Sequence, residues 1–220
     1  MFQGILRLKN LNYYPDLILD IGAYHGNWTK DCLNIYNNSD YILFEAINYN
    51  ELNRFNNHKK IHVYNELLFS CVTEVDWYEM RNTGDSIFKE LNKPFENCNP
   101  VKRLTNTLNN ILNNNEIVEK AKNIFIKIDC QGAEIPILQG ADNNLFNKTD
   151  FIILELPFFG KYNNGVSTFA EHINYMDSIG FIPFDMLENH YINGFNMQVD
   201  MMFINKKHEF ISLVQNKLLI

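Results

Sequence analysis

Five short apolar runs, at residues 17–19, 41–44, 61–64, 124–128 and 151–154, constrain this chain more than any other feature. They are rich in Ile, Val, Leu and Phe and lack the clean polar alternation of a strand with one wet face. Continuous apolar strands are those covered on both faces, and the intervals contain helix-length segments, as at 27–36 and 134–138. The repeated order of strand, helix and strand predicts an α/β fold built on a parallel sheet.

Between Glu66 and Arg103 the pattern weakens. Residues 73–78 read as a further strand that leads into the polar loop Thr83-Gly84-Asp85-Ser86. Near the end, 181–184 and 199–204 are again strand-like, with the turn signal Asn193-Gly194 between them, and predict an antiparallel pair. The clustered asparagines, such as Asn113-Asn114-Asn115 and Asn143-Asn144, fall between apolar runs and read as loops or helix ends. With 220 residues and no repeat or linker, a single domain over 1–220 is expected.

A hydrophobic content of 46%, with 17 Phe and 11 Tyr, excludes a disordered chain. The formal net charge of -7 supplies no basic field for a phosphate backbone, so no nucleic-acid partner is expected. Cys32, Cys71, Cys98 and Cys130 lack zinc-site spacing and read as reduced thiols. The first residues lack the basic stretch and apolar run of a secretory signal, which predicts a cytoplasmic location. No apolar segment approaches the roughly 20 residues that span a bilayer, so no membrane association is expected.

The first strand runs into Asp20-Ile21-Gly22-Ala23-Tyr24-His25-Gly26, followed by a helix-forming segment. Glycines at such a turn permit a tight bend and the close approach of a ligand to the backbone. Asp20, at the strand end, suits an ammonium or ordered water. The spacing is G-x-x-x-G, without the middle glycine that brings a pyrophosphate to a helix N-terminus. A ligand with an adenosine but no phosphates does not need that glycine, and S-adenosylmethionine is one. Glu45, about twenty residues on at the end of the second strand, is placed to accept both ribose hydroxyls. The competing readings are an ordinary βα turn and an NAD-dependent oxidoreductase.

Taken in order, Leu19-Asp20-Ile21-Gly22-Ala23 with Gly26, Phe44-Glu45, Gly84-Asp85-Ser86, 126–134, Leu138-Gln139-Gly140-Ala141 and Ile152-Ile153-Leu154-Glu155 resemble the FkbM-type methyltransferases. The resemblance spans most of the chain. It implies a Rossmann-like seven-stranded sheet with S-adenosylmethionine across the carboxyl ends of the parallel strands. It also implies methyl transfer to oxygen, on a sugar or glycan hydroxyl or a small metabolite. By the same resemblance Asp20, Gly22 and Gly26 line the methionine side, Ala23 is a further cofactor contact, Glu45 takes the ribose, Glu66 and Leu67 flank the adenine, and Asp85 and Ser86 close over the cofactor. Three positions depart from the family pattern. Gln131 stands where the family has a carboxylate, Asn109 where a segment normally ends in Asp, and His25 where Asn is common. The loss of charge at Gln131 also admits a cofactor-binding or interaction domain that has kept the fold without the activity.

For the chemistry, Asp129 at the end of the fourth strand is the first candidate as base or acceptor-positioning group. Glu155 ends the fifth strand and also faces the acceptor side, and His25 lies inside the glycine loop as a titratable group. Glu134 falls in a first helical turn, where a carboxylate complements the helix dipole. Asp129, Glu134, Glu155 and His172 admit Mg²⁺ without demanding it, so no metal is assigned. His58, His62, His172, His190 and His208 show no ligand spacing and read as surface or packed residues. Phe158, Phe159 and Tyr162 offer aromatic faces for a sugar.

Overall fold

The computed structural model describes residues 1–91, 97–161 and 163–218. In chain order the elements are α1 (Phe2–Asn10), β1 (Leu17–Ile21), α2 (Asn27–Cys32), β2 (Asp40–Phe44), a 3₁₀ turn (Asn50–Phe55), β3 (Ile61–Tyr64), β4 (Glu74–Trp77) and β5 (Val101–Leu104). They continue with α3 (Leu108–Leu112), α4 (Glu116–Lys120), β6 (Ile124–Ile128), α5 (Glu134–Gln139), α6 (Asn143–Lys148) and β7 (Thr149–Pro157). The chain closes with α7 (Phe169–Ser178), β8 (Phe181–Ile192), β9 (Phe195–Asn205) and α8 (Glu209–Leu218).

Seven strands form one sheet in the order β3-β2-β1-β6-β7-β9-β8. The first five in that order are parallel, and β9 runs antiparallel to both β7 and β8. Alternate side chains of the central strands feed two cores, as the two-residue period of a strand requires. Leu17, Leu19, Ile21, Ile124, Ile126 and Ile128 pack with α3, α5, α6 and α7. Ile18, Phe125, Phe151 and Ile153 pack on the other face with α1, α2 and α8. The expected layering of helices on both faces is therefore present.

Strand β1 has β2 on one side and β6 on the other. The helix after β1 packs on one face of the sheet and the helix after β6 on the opposite face. Loops that leave neighbouring strands in opposite directions open a crevice at their carboxyl ends, which is where ligands bind in open α/β sheets.

Two regions differ from the sequence expectation. The strand expected at 73–78 is β4, but it pairs with β5 in a separate two-stranded sheet. Strand β5 is largely exposed and so carries no apolar pattern to announce it. The expected C-terminal pair is far longer than 181–184 and 199–204. Strands β8 and β9 extend to the Asn193-Gly194 turn, with register shifts along β8 that interrupt its alternation. Asn115 caps α4 by accepting from the Ile117 N–H, as an asparagine at a helix end should.

Candidate active site

The β1–α2 loop crosses the end of β6, and Gly22 makes the crossing possible. Its φ is +75°, and a Cβ there would lie 2.0 Å from the Asp129 carbonyl oxygen. Gly26, at φ +69°, would bring a Cβ to 2.5 Å from the Phe55 ring. The sequence pattern assigns these glycines to ligand approach. Both are demanded by the protein's own packing, and Gly22 alone of the two lines the cavity described below. The amides of Gly22 and Ala23 both donate to the Phe44 carbonyl at 3.0 Å, which ties the loop to β2.

Asp20 and Lys127 are register partners across β1 and β6 and project to the α2 face. Asp20 is fully buried, accepts a 2.5 Å hydrogen bond from the Thr29 hydroxyl and lies 3.3 Å from the Lys127 ammonium. Lys127 donates to the Gly22 carbonyl at 2.9 Å and approaches Asp129 at 3.7 Å. Burial raises the Asp20 pKa, opposed by Lys127 and Thr29. Burial alone would lower Lys127, but Asp20 and Asp129 outweigh it and hold the ammonium charged. The sequence places Asp20 at the ligand; it does not line the cavity, and its cation is Lys127. Sequence reasoning misses Lys127, although a lone lysine inside the apolar run 124–128 is the signal that a buried partner carboxylate exists.

A cavity of about 770 Å³ opens over these strand ends. Glu45 and Leu67 line it beside β2 and β3, Ala23 and Tyr24 line it beside β1, and Asp85 contributes from the polar loop. Toward β7 and the hairpin it is lined by Asp129, Gln131, Glu155, His190 and Gln198. Glu45 accepts from the Tyr24 N–H at 2.6 Å through one carboxylate oxygen and from the Ile47 N–H at 2.9 Å through the other. Burial raises its pKa, and those two N–H groups oppose the shift.

Three further expected residues fall outside the cavity lining. His25 stacks on Tyr24 at a centroid distance of 3.8 Å and offers its carbonyl to Arg54. Gly26 is the N-cap of α2. The Ser86 hydroxyl donates to the Gln131 carbonyl at 2.9 Å and accepts from the Phe88 N–H, so it clasps the polar loop to the β6–α5 turn. Asp85 accepts from the N–H groups of Met80 and Asn82 and from the Tyr49 hydroxyl.

At the hairpin end, Gln131 donates through one nitrogen to Asp129 at 3.3 Å and to Glu155 at 2.9 Å. Gln198 donates to the same Glu155 oxygen at 2.8 Å. An amide can bridge two carboxylates; an ionised carboxylate at position 131 would have no proton to give. Burial, then repulsion from Asp129, Asp200 and Glu134, raises the Glu155 pKa well above the usual range.

The β7–β9 pairing sets Glu155 opposite Asp200, and the β8–β9 pairing sets His190 opposite Gln198. His190 Nε2 lies 2.9 Å from Asp200, and ligand-type atoms of Glu155, His190 and Asp200 all fall within 4.8 Å of one another. Sequence reasoning does not select His190 or Asp200. A lone Asp inside the apolar run 199–204 is the available signal.

The set Asp129, Glu134, Glu155 and His172 is not assembled. Glu134 and His172 are both fully buried and face each other at 3.9 Å, away from the cavity lining. Glu134 accepts from the N–H groups of Cys130 and Gly132 and so holds the β6–α5 turn. Phe158 and Phe159 are exposed, but they pack on Phe169 and Phe195 respectively; Tyr162 lies outside the described residues.

A strand-end crevice with an acidic residue after the second strand belongs to several nucleoside-binding families. A protein-family profile described as the methyltransferase FkbM domain matches residues 20–183, which include every lining residue up to Glu155. The chain belongs to this family of S-adenosylmethionine-dependent methyltransferases. Membership decides against the NAD-dependent alternative. A solved FkbM methyltransferase from Methylobacillus flagellatus KT shares the fold at 14% identity and a TM-score of 0.54, over 86% of this chain and 43% of that one. The FkbM chain thus spans less than half of that solved relative. An S-adenosylmethionine-dependent methyltransferase from Clostridium acetobutylicum aligns at 10% identity and a TM-score of 0.48, over 91% of this chain and 88% of that one. The Burkholderia thailandensis 1,6-didemethyltoxoflavin-N1-methyltransferase aligns at 9% identity and 0.47, over 92% and 76%. No curated protein sequence matches the chain. Among the described residues, no helix is long and apolar enough to cross a membrane.

Proposed function

We propose that this FkbM chain transfers a methyl group from S-adenosylmethionine to a hydroxyl oxygen of a sugar, a glycan or a small metabolite. The observation that carries the reading is the two-ended cavity, with Glu45 beside β2 and a group of carboxylates and amides beside β7. The cavity fits the cofactor. Its volume of about 770 Å³ lies within the roughly 300–1,000 Å³ of small-molecule sites. Each Glu45 oxygen takes one backbone N–H, and a carboxylate has roughly four acceptor sites, so capacity remains for a ribose diol.

Glu45 holds the ribose, Ala23 and the Gly22 backbone flank the methionine portion, and Leu67 and Asp85 bound the adenosine. When bound, the cofactor supplies an electrophilic methyl group on a sulfonium. The protein's part is then to align the acceptor and remove water, which is worth up to about 7–11 kcal/mol in favourable cases. Asp129 is 36% exposed at the carboxyl end of β6 and positions the acceptor hydroxyl, while Glu155 with Gln131 shapes the far wall.

Calorimetry with S-adenosylhomocysteine tests the assignment. Glu45→Ala is expected to weaken binding by about 1.5–3 kcal/mol, the range for hydrogen bonds to a charged group. Unchanged affinity in a folded variant removes Glu45 from the ribose.

A further inference from the structure

We propose that the His190–Asp200 pair is the proton acceptor for the methyl-accepting hydroxyl, an inference that rests on the O-methyltransfer reading above. His190 lines the cavity, and Asp200 stands behind it, 3% exposed, at 2.9 Å from Nε2. An ionised carboxylate only accepts, so this bond assigns the proton of the neutral ring to Nε2 and leaves the lone pair on Nδ1. A base held in one tautomer by a carboxylate is the arrangement that general-base catalysis uses.

The other two carboxylates are less suited to the role. Glu155 takes two amide hydrogen bonds on one oxygen, and Asp129 is engaged by Gln131 and lies near Lys127. The acidic groups that face His190 are Asp200 from β9, Glu188 from β8 and Asp129 after β6, with Glu155 of β7 within 4.8 Å; the N-terminal ammonium pairs with Glu188 at 3.2 Å and Lys127 approaches Asp129 at 3.7 Å. Together the acids favour the imidazolium, and the Asp200 hydrogen bond is the largest contribution that raises the His190 pKa.

The step balances without a further reactant. The acceptor O–H bond breaks and its proton goes to His190 Nδ1. The oxygen's electron pair forms the new bond to the methyl carbon, and the pair of the cleaved carbon–sulfur bond stays on sulfur. The positive charge that began on the sulfonium ends on the imidazolium beside Asp200, which returns its proton to water.

The first test needs no acceptor. The His190 ring C–H resonance, assigned by its loss in His190→Gln, is titrated in the full chain by NMR, free and with S-adenosylmethionine or S-adenosylhomocysteine bound. The free protein is expected to titrate above the ordinary histidine value of about 6.5 and to fall toward it in Asp200→Asn. The cationic cofactor is expected to lower the His190 pKa relative to the neutral product by about half a unit or more, because a like charge disfavours the imidazolium. If calorimetry shows that neither ligand binds, the methyltransferase reading fails and the dyad with it. If both bind and His190 does not distinguish them, or Asp200→Asn leaves its titration unchanged, the dyad alone is overturned. Turnover gives a second reading. On a hydroxylated acceptor that the wild-type protein methylates, His190→Gln is expected to lower kcat by about 10²-fold or more with cofactor affinity within about twofold. The wild-type rate is expected to rise with pH through the raised His190 pKa. Turnover unchanged in His190→Gln overturns the assignment.

Discussion

At the β2 end of the cavity, Glu45 is held by two backbone N–H groups, those of Tyr24 and Ile47. At the β9 end, Glu155 is held by two side-chain amides, those of Gln131 and Gln198. Backbone donors exist whatever residue supplies them, so the first carboxylate keeps its partners as long as the loop keeps its path. Amide donors depend on residue identity, so the second end can be rebuilt by substitution without altering the fold. The difference teaches where side-chain identity can vary in this scaffold: at the hairpin end, where Gln131 bridges Asp129 and Glu155.

The hardest way to break the comparison is at the join between the ends. Gly22→Ala places a Cβ against the Asp129 carbonyl at a positive φ. The conformational cost of about 1–2 kcal/mol adds to an overpacking cost of about 1–3 kcal/mol. Urea unfolding is expected to show a loss near the sum, and a loss under about 1 kcal/mol would mean that the loop crosses β6 by another path.

Gln131→Glu sharpens the contrast directly. It removes the shared donor and sets a third carboxylate against Asp129 and Glu155, at a cost of about 1.5–3 kcal/mol, the range for hydrogen bonds to charged groups. The loss is expected to be larger at pH 8 than at pH 5, because protonation of one acid restores a donor. An equal loss at both values would assign the cost to packing.

Glu155→Gln has the smallest and most specific effect, on pH dependence. The folded-state pKa of Glu155 is raised, so the folded protein binds this proton more tightly than the unfolded chain. Its contribution to stability is fully present below the unfolded value of about 4.3 and is lost as pH rises through the folded one. Wild-type stability should therefore carry a decline from this group on going upward from mildly acidic pH, and Glu155→Gln should flatten it. Midpoints of urea unfolding across the range check this, and an unchanged slope would place the proton elsewhere.

The β2 end is largely legible in the sequence. Strand β1, the loop through Gly26 and Glu45 are close along the chain, and each obeys a local rule of apolar runs, turn glycines and strand-end acids. Even there the local rule misdirects in one respect. Asp20 follows the strand pattern expected of a ligand contact, yet the register of β1 on β6 turns it inward to Lys127. Strand pairing is a long-range fact, and a one-residue shift would have reversed the face.

The hairpin end is legible only in part. Glu155 is at the end of an apolar run and can be chosen, but His190, Gln198 and Asp200 lie on the β8–β9 hairpin, whose antiparallel pairing the Asn193-Gly194 turn predicts and whose placement beside β7 has no local signature. The sequence by itself determined the α/β class, the parallel core, the turn at Asn193-Gly194 and the acid beside β2, because these follow from local periodicity and turn chemistry. Only the tertiary structure decided which polar groups share a cavity. That depends on which strands become neighbours and in what register, and neighbours far apart in the chain are selected by the burial of whole faces, not by any local motif.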